Sequence, residues 1–109
     1  MTVSELVQKL SLVPVSLPCT EKEIDGVYIG DLLSWVMGRA ESQNIWITIM
    51  SNINIVAVAS LADVSCVILA EGVTLADDVR ATAESKGVNI LSSDKTAFEI
   101  SIEIAELLK

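Results

Sequence analysis

The sequence has no histidine, only two cysteines, and only seven lysines and arginines against fifteen aspartates and glutamates. Without histidine, a Ser-His-Asp or Cys-His catalytic centre and the usual zinc sites are excluded. A net charge of −8 argues against nucleic acid as a partner, because contacts to phosphates need clustered lysine and arginine. The same charge argues against docking on an anionic membrane. These absences remove several common classes of enzyme and binding protein.

The cysteines and the first residues predict a cytoplasmic protein with reduced thiols. Cys19 lies in a polar stretch and Cys66 in an apolar run, and neither a CxxC motif nor a framework of four or six cysteines is present. The N-terminus lacks the basic and apolar regions of a signal peptide. We therefore expect a cytoplasmic location and neither a metal nor a cofactor.

One uncharged run, residues 42–62, is long enough to cross a bilayer. It contains Asn44, Asn52 and Asn54, which would be costly at mid-membrane depth. The run also divides into a β-branched segment followed by an alanine-rich one. A buried strand leading into a buried helix is the better interpretation, and no membrane partner is expected.

Aliphatic residues dominate what is present. The apolar share is 51% while aromatic residues make up 4%, so the core must be built from valine, isoleucine, leucine and alanine. A chain of 109 residues has the usual size of a domain with one core. We expect a single domain over residues 1–109.

Helix and strand signals alternate along the chain. Thr2 and Glu5 have the spacing of a capping box at the start of a first helix. Pro14 and Pro18 confine the apolar run 12–17 to an edge strand. Further strands are predicted at 27–29, 45–50, 66–69 and 88–91. Helices are predicted after Asp31, after Ser51 or Asn52, and after Thr74 with Asp77 as its capping partner.

The last segment, from Phe98 onward, alternates apolar and acidic residues as a strand does, yet its end favours a helix, which is our prediction. Strands that alternate with helices of about ten residues form βαβ units. The sequence therefore predicts a single-domain α/β fold with a mostly parallel sheet of about five strands flanked by helices.

Polar side chains collect at the predicted carboxyl ends of the strands, where open parallel sheets bind ligands. Several of them also stand where a helix needs an N-cap, so helix capping and a shared crevice for a small ligand or cation both stay open. Acids there, with Lys95 as the nearest base, are expected to disfavour phosphorylated ligands. The crevice candidates are Asp31, Ser51, Asn52, Glu71, Gly72 and Ser93.

Catalytic motifs are missing. None of the five glycines has the spacing of a phosphate-binding loop, and no Gly-Lys-Ser/Thr occurs, which excludes a P-loop kinase or NTPase. Ser51 has no base to activate it. Asp31 and Glu71 could act as paired carboxylates across neighbouring strand ends, although helix capping explains them more simply. No catalytic residue and no enzyme activity are predicted.

Three residues are candidates for a protein interface. The spacing of Trp35 with Leu32 and Val36 favours packing on a helix face, but tryptophan is also enriched at interface hot spots. Tyr28 lies just upstream, and Met37 adds an adaptable surface. Because about half of this small chain is apolar, we expect surplus apolar surface to be covered in a homodimer.

Six segments carry a resemblance to a known family, namely residues 27–37, 47–49, 54–59, 66–72, 87–93 and 96–99. On these segments the chain resembles the DRTGG domain family from Leu6 to its C-terminus. The likeness implies an α/β fold, dimerisation and a regulatory or scaffolding role. That family is similar to the N-terminal domain of HPr kinase/phosphorylase and supplies an accessory domain of phosphate acetyltransferases and CBS-domain pyrophosphatases.

Two positions depart from the family pattern. Met50-Ser51-Asn52 stands where the family has an Asp-Arg pair, and Ala70-Glu71-Gly72 stands where it has Thr-Gly-Gly. An acidic turn thus replaces one suited to anions. The resemblance implies a non-enzymatic regulatory or protein-interaction module, associated with iron hydrogenase or energy metabolism in an anaerobe. The alternative is a small-molecule sensor that binds a metabolite or nucleotide at the strand ends.

Overall fold

Five helices and five strands alternate along the chain in a computed structural model that describes residues 1–109. The order of elements confirms the predicted α/β class. The elements are α1 (Val3–Leu10), β1 (Val13–Ser16), β2 (Gly26–Ile29), α2 (Leu33–Arg39), β3 (Asn44–Thr48), α3 (Asn54–Ala62), β4 (Cys66–Leu69), α4 (Asp77–Lys86), β5 (Ile90–Ser92) and α5 (Ala97–Leu108).

The strands form one sheet in the order β1-β5-β4-β3-β2. β2, β3, β4 and β5 run parallel, and β1 pairs antiparallel with β5. The register between β1 and β5 shifts between Pro14 and Ser16. The predicted edge position of this proline-containing strand is confirmed.

Helices cover both faces of the sheet. Trp46, Val67 and Ile90 face a core shared with α2, α3 and α4, whereas Ile47 and Ile68 face a second core shared with α1 and α5. Neighbouring residues of a strand point to opposite faces, so a sheet covered on both sides needs apolar residues at nearly every position. This requirement explains the long uncharged run, and no helix is both long and apolar enough to cross a membrane.

The segment between β1 and β2 crosses the amino ends of the parallel strands, and buried side chains fasten it there. The Asn89 side-chain amide donates to the carbonyls of Cys19 at 2.8 Å and Ser65 at 2.9 Å, and its oxygen accepts from the Cys19 N–H at 2.9 Å. The Ser65 hydroxyl donates to the carbonyl of Glu23. We call this side of the molecule the amino end of the sheet.

Two predicted helix caps are wrong. Asp31 does not cap α2, whose N-cap is Leu32, because the Asp31 carboxylate accepts hydrogen bonds from β3 and the residue after it. Thr74 does not cap α4 either, since that helix begins later and Ala76 is its N-cap without a side-chain bond. In both cases the chain continues past the predicted cap before it turns into helix.

Other local predictions are confirmed in whole or in part. The Thr2–Glu5 capping box is present, and Gly87 ends α4 with a positive φ of 73°. The Asn52 side-chain oxygen accepts from the Asn54 N–H at 2.9 Å, although Ile53 is the N-cap of α3. The ambiguous C-terminal segment is helical. β5 begins at Ile90, two residues later than predicted.

Candidate functional site

The carboxyl ends of the four parallel strands meet at one side of the sheet, opposite the amino end. The turns after β2, β3, β4 and β5 lie there, and they contain all six predicted crevice residues. We call this side the carboxyl edge. Its residues divide into two groups, one at β2 and β3 and one at β4 and β5.

Asp31 organises the first group. One oxygen of its carboxylate accepts from the Thr48 hydroxyl at 2.8 Å and from the Ile49 N–H at 3.0 Å. The Thr48 hydroxyl in turn accepts from the Met50 N–H at 3.1 Å. This chain of bonds joins the end of β2 to the turn after β3, so Asp31 has a structural role here. Ser51 is half-buried and Asn52 exposed next to this turn.

Backbone bonds hold the second group together. The Glu71 N–H donates to the Lys95 carbonyl at 2.8 Å, and the Gly72 N–H donates to the Ser93 carbonyl at 2.9 Å. The Ser93 hydroxyl accepts from the Lys95 N–H at 3.1 Å. The Lys95 ammonium group pairs with Glu103 of α5 at 2.6 Å. The base expected near the crevice is therefore engaged on α5.

A positive φ occurs at two successive residues of the turn after β4, 60° at Glu71 and 71° at Gly72. A Cβ atom on Gly72 would lie 3.1 Å from an oxygen of Asp94. The missing side chain thus lets the turn after β5 approach the turn after β4. This close approach forms one wall of a surface groove.

The groove has a volume of about 400 Å³ and lies between β1, the turn after β4 and the turn after β5. Its polar side chains are those of Thr74, Arg80, Ser92 and Asp94. Arg80 extends from α4, where it also contacts Asp77 at 3.5 Å. Pro14, Val15 and Leu75 supply apolar walls. One guanidinium, one carboxylate and two hydroxyls suit a small polar molecule that carries both an anionic group and a hydroxyl.

Only Gly72 of the six predicted crevice residues lines this groove. Asp31, Ser51, Asn52, Glu71 and Ser93 lie at the same edge but outside it. Sequence reasoning missed Arg80, Thr74 and Asp94. Arg80 could have been found, because a residue one turn into the helix after a parallel strand lies close to that strand's carboxyl end. No three acidic or cysteine side chains come together as metal ligands.

The interface candidates lie on β2 and α2. Trp35 is 53% exposed and Met37 is 45% exposed, whereas Tyr28 is partly buried against the core of α2, α3 and α4. The Arg39 guanidinium carbon lies 3.8 Å from the centre of the Trp35 ring. A cation stacked on an exposed indole limits its motion. Trp35 is thus held at the surface and outside the core.

Comparison with known proteins gives one family and one fold. The model of the DRTGG domain family matches residues 20–107. A similar solved structure contains the CBS and DRTGG domains of the regulatory region of Clostridium perfringens pyrophosphatase in complex with an activator, diadenosine tetraphosphate, with a TM-score of 0.76 and 15% identity. The match covers 94% of this chain and 45% of that one. No curated protein matches the chain at a significant level.

Proposed function

The chain belongs to the DRTGG domain family, and on this basis we propose that it is a non-enzymatic regulatory module that acts as a homodimer through protein interaction. In the structural neighbour, the CBS and DRTGG domains are part of a regulatory region. The chain spans less than half of that neighbour's length, so a regulatory role comes to this chain as part of the proposal.

The observation that carries the proposal is the apolar surface of α2. Leu32, Trp35 and Met37 are 59%, 53% and 45% exposed, although helices already cover both faces of the sheet. Helical periodicity puts Leu32 and Trp35 on one flank of α2 and Met37 on the opposite flank. Small soluble domains seldom leave several large apolar side chains of one short helix in water, and tryptophan is a frequent hot spot of interfaces. Protein contact is the use that best fits this surface.

Light scattering at micromolar concentration tests the homodimer. We expect about twice the chain mass of 11.7 kDa. A clean monomer would contradict the homodimer and direct attention to a different protein partner. A pull-down from the host cell tests the association with iron hydrogenase or energy metabolism, which rests on the family resemblance.

The absence of a phosphate-binding loop from the sequence supports the non-enzymatic part of the proposal. We expect purified protein to release no phosphate from ATP and to transfer none to a serine-containing protein. Magnesium-dependent autophosphorylation would overturn this part of the proposal.

A small-molecule sensor is the second candidate, and the groove with Arg80 and Asp94 favours it. Amide chemical shifts recorded during titration with AMP, ATP and diadenosine tetraphosphate test it. If the sensor is right, shifts at Gly72 and Thr74 saturate below about 100 μM ligand, an affinity near −5.5 kcal/mol. Arg80→Ala should then abolish the shifts and Arg39→Ala should not. Absence of saturation in that range would reject the sensor.

A further inference from the structure

The two edge strands of the sheet differ in their ability to accept another strand. β1 contains Pro14 and has a register shift beside it, both of which hinder pairing with a new strand. β2, residues 26–29, contains no proline, no charged residue and no irregular register with β3. The edge of β2 is therefore the unprotected one.

The free hydrogen-bonding groups of this edge follow from its register. The Gly30 N–H donates to the Ile47 carbonyl at 3.2 Å. In a parallel pair, successive residues direct their N–H and C=O groups to opposite sides. The groups of Tyr28 and Gly30 thus face β3, and those of Val27 and Ile29 point away from the sheet. Two donors and two acceptors are available for another strand.

The exposed flank of α2 lies beside the same edge. Helical periodicity puts Leu32, Trp35 and Arg39 on one flank, while Val36 faces the core. α2 connects the parallel strands β2 and β3, and such crossovers are right-handed. Because the crossover is right-handed, the flank of α2 that carries Trp35 faces the free edge of β2, and the opposite flank of α2 faces α3. We call Val27, Ile29, Leu32, Trp35 and Arg39 the β2-edge surface, which runs along both faces of the sheet edge, because Val27 and Ile29 point to the face of α1 and α5, opposite to α2.

We propose that the β2-edge surface pairs with the same surface of a second copy of this chain, with the two β2 strands antiparallel. Val27 of each copy exchanges two backbone hydrogen bonds with Ile29 of the other, which gives four bonds across a two-fold axis. The result is a continuous ten-stranded sheet, with the two α2 helices side by side on one face. This inference rests on the proposed homodimer and names the surface that forms it.

Charge and area both favour a second copy as the occupant. The antiparallel arrangement brings Arg39, in the last turn of α2, toward the second copy's Asp31, which lies at the opposite end of β2. A specific interface buries roughly 800 Å² per partner, more than a four-residue strand provides. The half-exposed Trp35 adds roughly 100 Å², and Leu32 and Ile29 extend the apolar area, so strand and helix together approach the size needed.

A matched pair of variants tests the surface. Ile29 on β2 and Val13 on β1 are both exposed apolar residues of edge strands, at 50% and 59%. We expect Ile29→Lys to raise the dimer dissociation constant about 30-fold or more, because an interface hot spot is changed in both copies. Val13→Lys should leave the constant almost unchanged. Trp35→Ala, which keeps the strand intact, should weaken the dimer by a similar factor.

Amide hydrogen exchange of the unmodified protein gives an independent measurement. In the proposed dimer, the amides of Val27 and Ile29 exchange slowly and speed up on dilution, while Tyr28 stays protected throughout. A dimer that Ile29→Lys leaves intact, or in which the Val27 and Ile29 amides exchange fast, would overturn the β2 pairing and leave the homodimer standing. A monomer at all concentrations would overturn both.

Discussion

The two ends of the sheet use polar residues in opposite ways. At the amino end, Asn89, Ser65 and Asn44 are buried, and each makes a hydrogen bond to a backbone group. At the carboxyl edge, Glu71 and Asp94 are exposed, and neither side chain makes a hydrogen bond within the chain. The buried polar side chains at the amino end therefore fix the path of the backbone, whereas the carboxylates of Glu71 and Asp94 at the carboxyl edge are free to contact other molecules.

This difference shows where the fold can carry a function. Side chains committed to buried bonds cannot be changed without loss of stability. The turns at the carboxyl edge tolerate changes more readily, because their hydrogen bonds are mainly between backbone groups. The Arg80 groove lies at the carboxyl edge, while the proposed dimer surface lies along β2 and α2, so a ligand and a second copy would not compete.

The largest expected loss of stability comes from a comparison of two asparagine variants, one from each end of the sheet. Asn89→Ala removes three hydrogen bonds and leaves the Cys19 and Ser65 backbone groups unsatisfied, so we expect a loss of about 3 kcal/mol in the free energy of unfolding. The melting temperature should fall by about 15 °C. Asn52→Ala removes one exposed bond and should cost about 0.5 kcal/mol. Urea unfolding of both variants measures the difference; equal losses would refute the comparison.

Asp31 differs from Glu71 and Asp94 at the carboxyl edge, because its carboxylate makes two hydrogen bonds that fasten β2 to the turn after β3. We expect Asp31→Ala to lower the free energy of unfolding by about 2 kcal/mol, as hydrogen bonds to a charged group are strong. Asp31→Asn keeps an acceptor oxygen in place and should cost clearly less. If both variants are as stable as the unmodified protein in urea unfolding, the hydrogen bonds of Asp31 have no structural importance.

Asp31 also shows which features of the structure could be predicted from the sequence and which could not. Periodicity and turn residues predicted the alternation of elements, the edge position of β1 and all of β4, because these features depend on local signals. The role of Asp31 depends on Thr48 and Ile49, seventeen and eighteen residues away, and no local rule pairs them. The position of Arg80 one turn into α4 could have placed it at the carboxyl edge, but that Arg80 and Asp94 line one groove with β1 depends on the order of the strands.

Replacing two glycines by alanine is expected to change the stability of the protein in opposite directions. Gly72 has a φ of 71°, which is strained for any other residue, and a Cβ atom there would lie 3.1 Å from the Asp94 carboxylate, so Gly72→Ala should cost about 1 kcal/mol of stability. Gly38 lies inside α2 with no atom near its missing Cβ, and Gly38→Ala should stabilise the protein by about 0.5 kcal/mol. Thermal unfolding shows the two signs. A stabilising Gly72→Ala would mean that the turn after β4 relaxes freely.

The smallest expected difference between two variants concerns the capping boxes, one at each end of the sheet. Thr2 with Glu5 begins α1 near the amino end, and Thr96 with Glu99 begins α5 at the carboxyl edge. At α1, the N–H groups of Val3 and Ser4 also donate to the crossing segment, at 3.0 Å each. The first turn of α5 has no such support. Thr96→Ala should therefore cost about 1 kcal/mol, and Thr2→Ala less.

The pH dependence of stability gives a second readout of these boxes. The backbone N–H and the hydroxyl of Thr96 lower the pKa of Glu99, and those of Thr2 lower the pKa of Glu5. The folded state thus favours the charged carboxylates. Their contribution is present above the usual value of 4.5 and is lost as the pH falls through the lowered pKa. Glu99→Gln should reduce this acid sensitivity, and so should Glu5→Gln. Urea unfolding between pH 6 and about pH 3 measures both slopes.

The order in which the two helices open in acid can be measured by amide hydrogen exchange. Since the hydrogen bonds of Val3 and Ser4 to the crossing segment persist at any pH, we expect the first turn of α5 to open at a higher pH than that of α1. Simultaneous opening would show that the crossing segment gives α1 no extra support.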